Sequence, residues 1–251
     1  MSMIAPRPLL AAALVLLAAG CGGADPTPQA NESAGAATGE VVAQTAPAPS
    51  ETAPPTTATP LAISAKTSPI ACTSEIGAKA VAALVAQCRA VSPSTHPPCN
   101  AANSCAMIRN EVARGCAIIG SDAIKTPECG GIDPVGREAA ADMVERYYAA
   151  INAHDYASAW MLWGEGGGGK TLDAFTAGFA QTRRTHVDVG EVSDVEGGAG
   201  SIYVTVPVTV DAELADGRRQ RFTGSYALRQ INRGMGVSQG WHITTASLRP
   251  S

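Results

Sequence analysis

The chain has 251 residues, enough for one or two ordinary domains, and carries a formal charge of −4 from 18 basic and 22 acidic residues. It has no block of Lys or Arg, so the sequence offers nucleic-acid binding no electrostatic support, and none is expected. Of the seven cysteines, Cys21 stands apart and the other six lie between Cys72 and Cys129. In an exported chain those six read as three disulfides.

Residues 1–20 read as a signal peptide. Arg7 supplies the positive end, and the apolar run from Leu9 to Ala19 is too short for a stable membrane span. The run ends in Leu17-Ala18-Ala19-Gly20-Cys21, which resembles the lipobox of bacterial lipoproteins. That resemblance implies acylation of Cys21 and attachment to the membrane through the lipid. Gly22, where an Asp would direct inner-membrane retention, implies the outer membrane, with the protein facing the periplasm. Residues 21–67 are rich in Ala, Pro and Thr and lack aromatic residues. Such a segment buries too little apolar surface to offset its ordering entropy, so a disordered tether is expected. Pro47, Pro49, Pro54, Pro55 and Pro60 keep its second half extended.

Residues 68–131 form a six-cysteine helical module. Ile76, Ala80, Ala83, Leu84 and Cys88 share one stripe of a helix expected over 74–90. Pro93, Pro97 and Pro98 interrupt it, and a second helix starts from Ser104 as N-cap, with Cys105, Ile108, Val112 and Cys116 inward. Cys72 and Cys88, at opposite ends of the first helix, would be about 24 Å apart, out of reach of one disulfide. An antiparallel hairpin stapled at both ends is therefore expected. Cys72 would pair with Cys116, Cys88 with Cys105 or Cys99, and Cys129 would take the remaining partner. His96 beside Cys99 raises a zinc set of Cys88, His96, Cys99 and Cys105. An oxidising compartment favours disulfides instead, and neither a metal nor a cofactor is expected.

Residues 132–251 read as an α+β layer. Asp133-Pro134 opens a helix over 135–153, with Ala140, Met143, Val144, Tyr147 and Ile151 as its apolar stripe and Tyr148 beside it. A short helix over 156–163 places Trp160 and Trp163 on one face. The run Gly164 to Thr171 matches the spacing of a phosphate loop but follows a helix rather than a strand, so it reads as a flexible loop whose Thr171 caps the next helix. Phe175 and Phe179 mark that third helix. Four strands follow, over 185–192, 201–213, 221–231 and 241–248. In Ser201 to Glu213, Ile202, Val204, Val206, Val208, Val210 and Ala212 alternate with Tyr203, Thr205, Pro207, Thr209 and Asp211, the pattern of a strand buried on one side. Pro207 suggests an edge, a bulge or a bend. Asp216-Gly217 fits a tight hairpin.

The order of helices, hairpin and closing strand, in MVERYYAAINAHDYASAWMLW, F-x-x-x-F and GWHITTASL, resembles the NTF2-like superfamily in its SnoaL-like and ketosteroid-isomerase-like branch. The resemblance covers about 134–250. It implies a strongly bent antiparallel sheet wrapped around the long helix as a cone with a pocket at its open end. Tyr147, Trp160, Trp163 and Phe179 are the candidate pocket lining. If the cone is catalytic, Tyr147 or Tyr148 would stabilise an oxyanion, and Asp155 or Asp188, with His186, would supply the base. No second buried acid accompanies them, which departs from the isomerase pattern. The leading expectation is therefore a non-enzymatic envelope module that binds a small apolar ligand or a protein partner. An isomerase or dehydratase using a Tyr and a carboxylate is the alternative. A third possibility is an assembly module that dimerises through the Tyr203, Thr205 and Thr209 face.

Overall fold

The computed structural model describes residues 68–94, 98–164, 166–232, 234–236 and 240–251, all within one compact unit. The expectations for the signal peptide, the lipid on Cys21, the tether and His96 lie outside the described residues. Among the described residues no helix is long and apolar enough to cross a membrane.

The cysteine-rich segment folds as α1 (Cys72–Ile76), α2 (Ala78–Val91) and α3 (Cys105–Ile119), followed by two short 3-10 turns. All six cysteines are disulfide-bonded, but the pairs are Cys72–Cys105, Cys88–Cys99 and Cys116–Cys129. The expected Cys72–Cys116 staple is corrected for two physical reasons. Gly77, at φ +79°, breaks the first helix in two, so Cys72 and Cys88 do not sit on one rod. The long helices also meet at their C-terminal halves. A Cβ on Gly115 would lie 2.4 Å from the Val91 carbonyl oxygen, so the missing side chain is what admits that approach. Ser92 hydroxyl donates to Glu111 at the same crossing, and the Arg114 Nε donates to the other Glu111 oxygen at 2.8 Å. Cys88–Cys99 and Cys116–Cys129 therefore tie a helix to the loop or turn that follows it, and Cys72–Cys105 joins the first residues of α1 and α3.

Ser104 is the N-cap of α3, accepting the Met107 N–H at 3.0 Å. The long helix α4 (Arg137–Asn152) begins two residues later than expected, because Asp133 first closes a turn with the N–H groups of Val135 and Gly136. Next come α5 (Tyr156–Met161) and α6 (Leu172–Gly178), and Thr171 caps α6 by accepting the Ala174 N–H at 3.2 Å.

The sheet comprises β1 (Thr182–Val189), β2 (Glu196–Gly198), β3 (Ser201–Leu214), β4 (Arg219–Ile231) and β5 (His242–Pro250). Its order is β1-β3-β4-β5, all antiparallel, with the short β2 added beside β3. β1 and β5 do not pair, so the sheet is open rather than closed into the expected cone; the α+β layering holds and the cone is corrected. In β3, Val204, Val206, Val208, Val210, Ala212 and Leu214 are buried while their neighbours are partly or fully exposed. β3 is central, not an edge. It tolerates Pro207 because that residue faces the point where β1 leaves the sheet: the β1 ladder ends at Val189–Val208, and Gly190 N–H donates to the Pro207 carbonyl at 2.8 Å. The missing donor costs a ladder bond only at the point where the β1 pairing ends.

The core joins α4 to this sheet. Met143, Val144, Tyr147, Tyr148 and Ile151 of α4 pack with the inward valines of β3 and with Tyr226, Leu228 and Ile243. Asn152 fixes the exit of α4 onto β1: its Oδ1 accepts the Thr185 N–H at 2.7 Å, and its Nδ2 donates to the Thr185 carbonyl at 2.9 Å. Burying these large apolar side chains stabilises the unit by roughly 1.5–3 kcal/mol each.

Candidate functional site

Two successive tyrosines on α4 and one on β4 come together where the long helix crosses the sheet. The Tyr148 and Tyr226 hydroxyls are 2.6 Å apart and share one hydrogen bond. The Tyr147 ring stands edge-on to Tyr148 at 5.0 Å, to Tyr226 at 6.0 Å and to Trp163 at 6.2 Å. Such edge-to-face pairs put the positive rim of one ring against the negative face of another and fix the geometry of both. Burial pushes all three phenols well above the ordinary tyrosine range, and each gains from a neighbouring tyrosine a further push the same way. They remain protonated donors throughout the physiological range.

Tyr147 differs from the other two. Its hydroxyl donates to no described residue, and its ring borders a cavity of about 180 Å³. Trp163, Phe175, Phe179 and Lys170 line the same cavity. The Trp163 indole N–H is buried with no partner in hydrogen-bond geometry, yet it lies close enough to the Tyr147 oxygen to oppose part of that phenol's rise. The pocket wall thus carries the Tyr147 O–H, while the Trp163 N–H is enclosed beside the Tyr147 oxygen.

The glycine run covers this pocket. Gly167 and Gly168 have φ of +55° and +65°, the left-handed region that favours glycine. A Cβ on Gly167 would fall 1.8 Å from the Trp160 indole nitrogen, and one on Gly168 would fall 2.5 Å from the Trp163 ring. The loop is therefore moulded on two indoles, and the Trp160 N–H donates to the Lys170 carbonyl at 2.8 Å to hold its far end. It follows α5, a helix, which is why its phosphate-loop spelling carries no phosphate chemistry.

The structure brings Tyr147, Trp163 and Phe179 together as lining, with Trp160 behind the loop. It does not bring the expected carboxylates there. Asp155 is 1 % exposed and serves as the N-cap of α5: its Oδ1 accepts the Ser158 N–H at 3.0 Å and its Oδ2 accepts from Ser104. His186 and Asp188 pair with each other at 3.3 Å on the outer sheet surface, with side chains 73 % and 66 % exposed. Tyr203 and Thr205 also lie on that surface. Among the described residues no carboxylate lines the Tyr147 pocket. Sequence reasoning missed Tyr226, Phe175 and Lys170. For Tyr226 the signal was its place in β4, two residues from Leu228 and four from Gln230, all buried on one face.

The expectation of a non-enzymatic module with an apolar, polar-poor mouth is corrected by these arrangements. A phenol cluster with unconsumed donors sits at a pocket, and buried polar contacts thread the unit. In addition, Cys72, Glu75 and Cys105 bring ligand-type atoms within 4.8 Å of one another. Together these features favour the tyrosine-using alternative over passive binding. The two sulfurs of that cysteine group are bonded to each other, so they offer no thiolate while oxidised. The catalytic reading therefore rests on the aromatic pocket.

No family model matches the chain, and no curated protein matches it. Two solved structures are similar to part of it. One is the Kfla4162 protein from Kribbella flavida, at 14% identity and a TM-score of 0.31, covering 44% of this chain and 86% of that one. The other is a putative aromatic ring hydroxylase from Novosphingobium aromaticivorans, at 17% identity and a TM-score of 0.35, covering 46% and 92%. Likenesses this slight assign neither fold nor activity, and with the open sheet and the absence of a family match the NTF2-like resemblance is corrected.

Proposed function

We propose that this chain is an enzyme of the proton-transfer class, an isomerase or dehydratase acting on a small carbonyl compound held under the Gly166–Gly169 loop. The observation that carries the reading is the Tyr147 hydroxyl, buried, protonated and without an acceptor among the described residues, at the wall of the pocket that the glycine loop covers. Preorganised donors in a water-poor site stabilise charge that develops only in the transition state. When a C–H bond beside the carbonyl breaks, its proton passes to water and its electron pair moves onto the carbonyl oxygen. Tyr147 O–H donates to that oxygen, and the Lys170 ammonium adds positive field from the rim of the pocket. The Tyr148–Tyr226 pair backs Tyr147 and keeps its ring in place. The cavity, near 180 Å³, is below the size of sites for drug-like ligands, which supports a small substrate.

The three disulfides support an oxidising, extracytoplasmic setting for this activity. Solvent exchange tests the reaction class: small cyclic ketones are incubated in deuterated buffer with the full chain, and loss of the α-proton signal is followed by NMR. Exchange above the buffer rate is expected, falling roughly 100-fold in Tyr147→Phe. Exchange at the buffer rate across the ketones, or unchanged in the variant, would overturn the reading.

A further inference from the structure

Arg146, the residue before Tyr147, borders a separate cavity of about 310 Å³. Leu84, Val112 and Leu162 give it apolar wall, and Arg146 and Asp142 give it charge. Arg146 is only 9 % exposed. Its Nε donates to Asn110 Oδ1 at 3.0 Å and its Nη1 to Asp142 Oδ2. A guanidinium has five N–H groups, and the other three have no acceptor among the described residues. Burial alone pushes Arg146 down to about 10. The Asp142 side chain is about half exposed, so water screens its charge and it neutralises the guanidinium only in part. The Trp241 ring lines the same cavity, while its indole nitrogen is enclosed, with no hydrogen-bond partner among the described residues.

The geometry points to a binding site, distinct from the Tyr147 pocket, for a small organic monocarboxylate with an apolar body. Its carboxylate accepts from the unused Arg146 N–H groups, in the planar fork that guanidinium offers. Its body lies against Leu84, Val112 and Leu162. Inorganic phosphate has no apolar body to lie against Leu84, Val112 and Leu162, so it should bind more weakly, even though Arg109 and Arg114 line the cavity beside Asp142 and Glu128.

The test is a titration of the full chain with 4-fluorobenzoate, followed by 19F NMR, with 4-fluorobenzamide as the neutral control. Saturable benzoate binding is expected, with the amide at least tenfold weaker. Arg146→Gln should weaken benzoate about tenfold or more, the effect of hydrogen bonds to a charged group, and Tyr147→Phe should leave it unchanged. Equal binding of acid and amide, no saturation up to about 10 mM (the weak limit for a specific site), displacement by equimolar inorganic phosphate, or full affinity in folded Arg146→Gln would each overturn the proposal.

Discussion

Ser104 and Asp155 share a 2.5 Å hydrogen bond that joins the N-cap of α3 to the N-cap of α5. Each residue caps its own helix, Ser104 through the Met107 N–H and Asp155 through the Ser158 N–H. One carboxylate thus locks the cysteine-rich segment onto the sheet-bearing one. Replacing it strands a buried hydroxyl and a buried N–H. Asp155→Ala should lower stability by about 3 kcal/mol, and Asp155→Asn by less, since the amide retains one acceptor. Chemical denaturation of the two variants checks this. A folded Asp155→Ala that kept full stability would remove the structural role.

The three clustered tyrosines predict an alkaline limit to stability. Their folded-state pKa values are raised above the ordinary value of 10, so the folded chain holds protons that the unfolded chain releases. Their contribution is complete below about pH 10 and is lost as the pH rises beyond it. Ultraviolet titration should show Tyr147, Tyr148 and Tyr226 ionising only together with loss of the folded signal. Ionisation of these three in a chain that stays folded would contradict the burial of the cluster.

Gly167 is the position where loop and pocket are most tightly coupled. Gly167→Ala places a methyl group in the Trp160 ring at a positive φ. The loop must lift, so activity should fall at least tenfold while the melting temperature changes by only a few degrees. Parallel rate and melting measurements separate the two effects. A variant with full activity would show that the loop does not shape the pocket.

Non-reducing proteolysis should yield peptides joined as Cys72–Cys105, Cys88–Cys99 and Cys116–Cys129. Removing the Cys116–Cys129 bridge by paired alanines should cost about 3 kcal/mol, since its closed loop is short. The Cys72–Cys105 bridge closes a loop of about three times the sequence separation, 33 against 11 for Cys88–Cys99. Its removal should cost slightly more.

What was legible in the sequence was local. The alternation of Val204 to Leu214 has a period of two wherever the strand lies, and Ser104 and Thr171 announce their caps by residue type alone. The disulfide pairing was not legible, because it depends on the break at Gly77 and on Val91 meeting Gly115, contacts that no window of sequence contains. Asp155 read as a possible base because a buried capping carboxylate and a catalytic one are spelled alike. Its place directly before a short helix was the signal that separates them. Tyr226 went unread because its meeting with Tyr148 is set by how β4 lies across α4, 78 residues along the chain.

The measurement that bears most directly on the proposed role of Tyr147 is the binding of a small phenolate, a stable mimic of an enolate oxyanion, to the full chain and to Tyr147→Phe. Nitrophenolate absorbance reports the affinity, and the shift of the Tyr147 hydroxyl proton reports the contact. With Tyr147 as oxyanion donor, the phenolate binds with a strongly downfield hydroxyl proton, and Tyr147→Phe loses roughly 10- to 100-fold in affinity while Trp241→Phe does not. Equal phenolate affinity in wild type and folded Tyr147→Phe would contradict the catalytic role of this tyrosine.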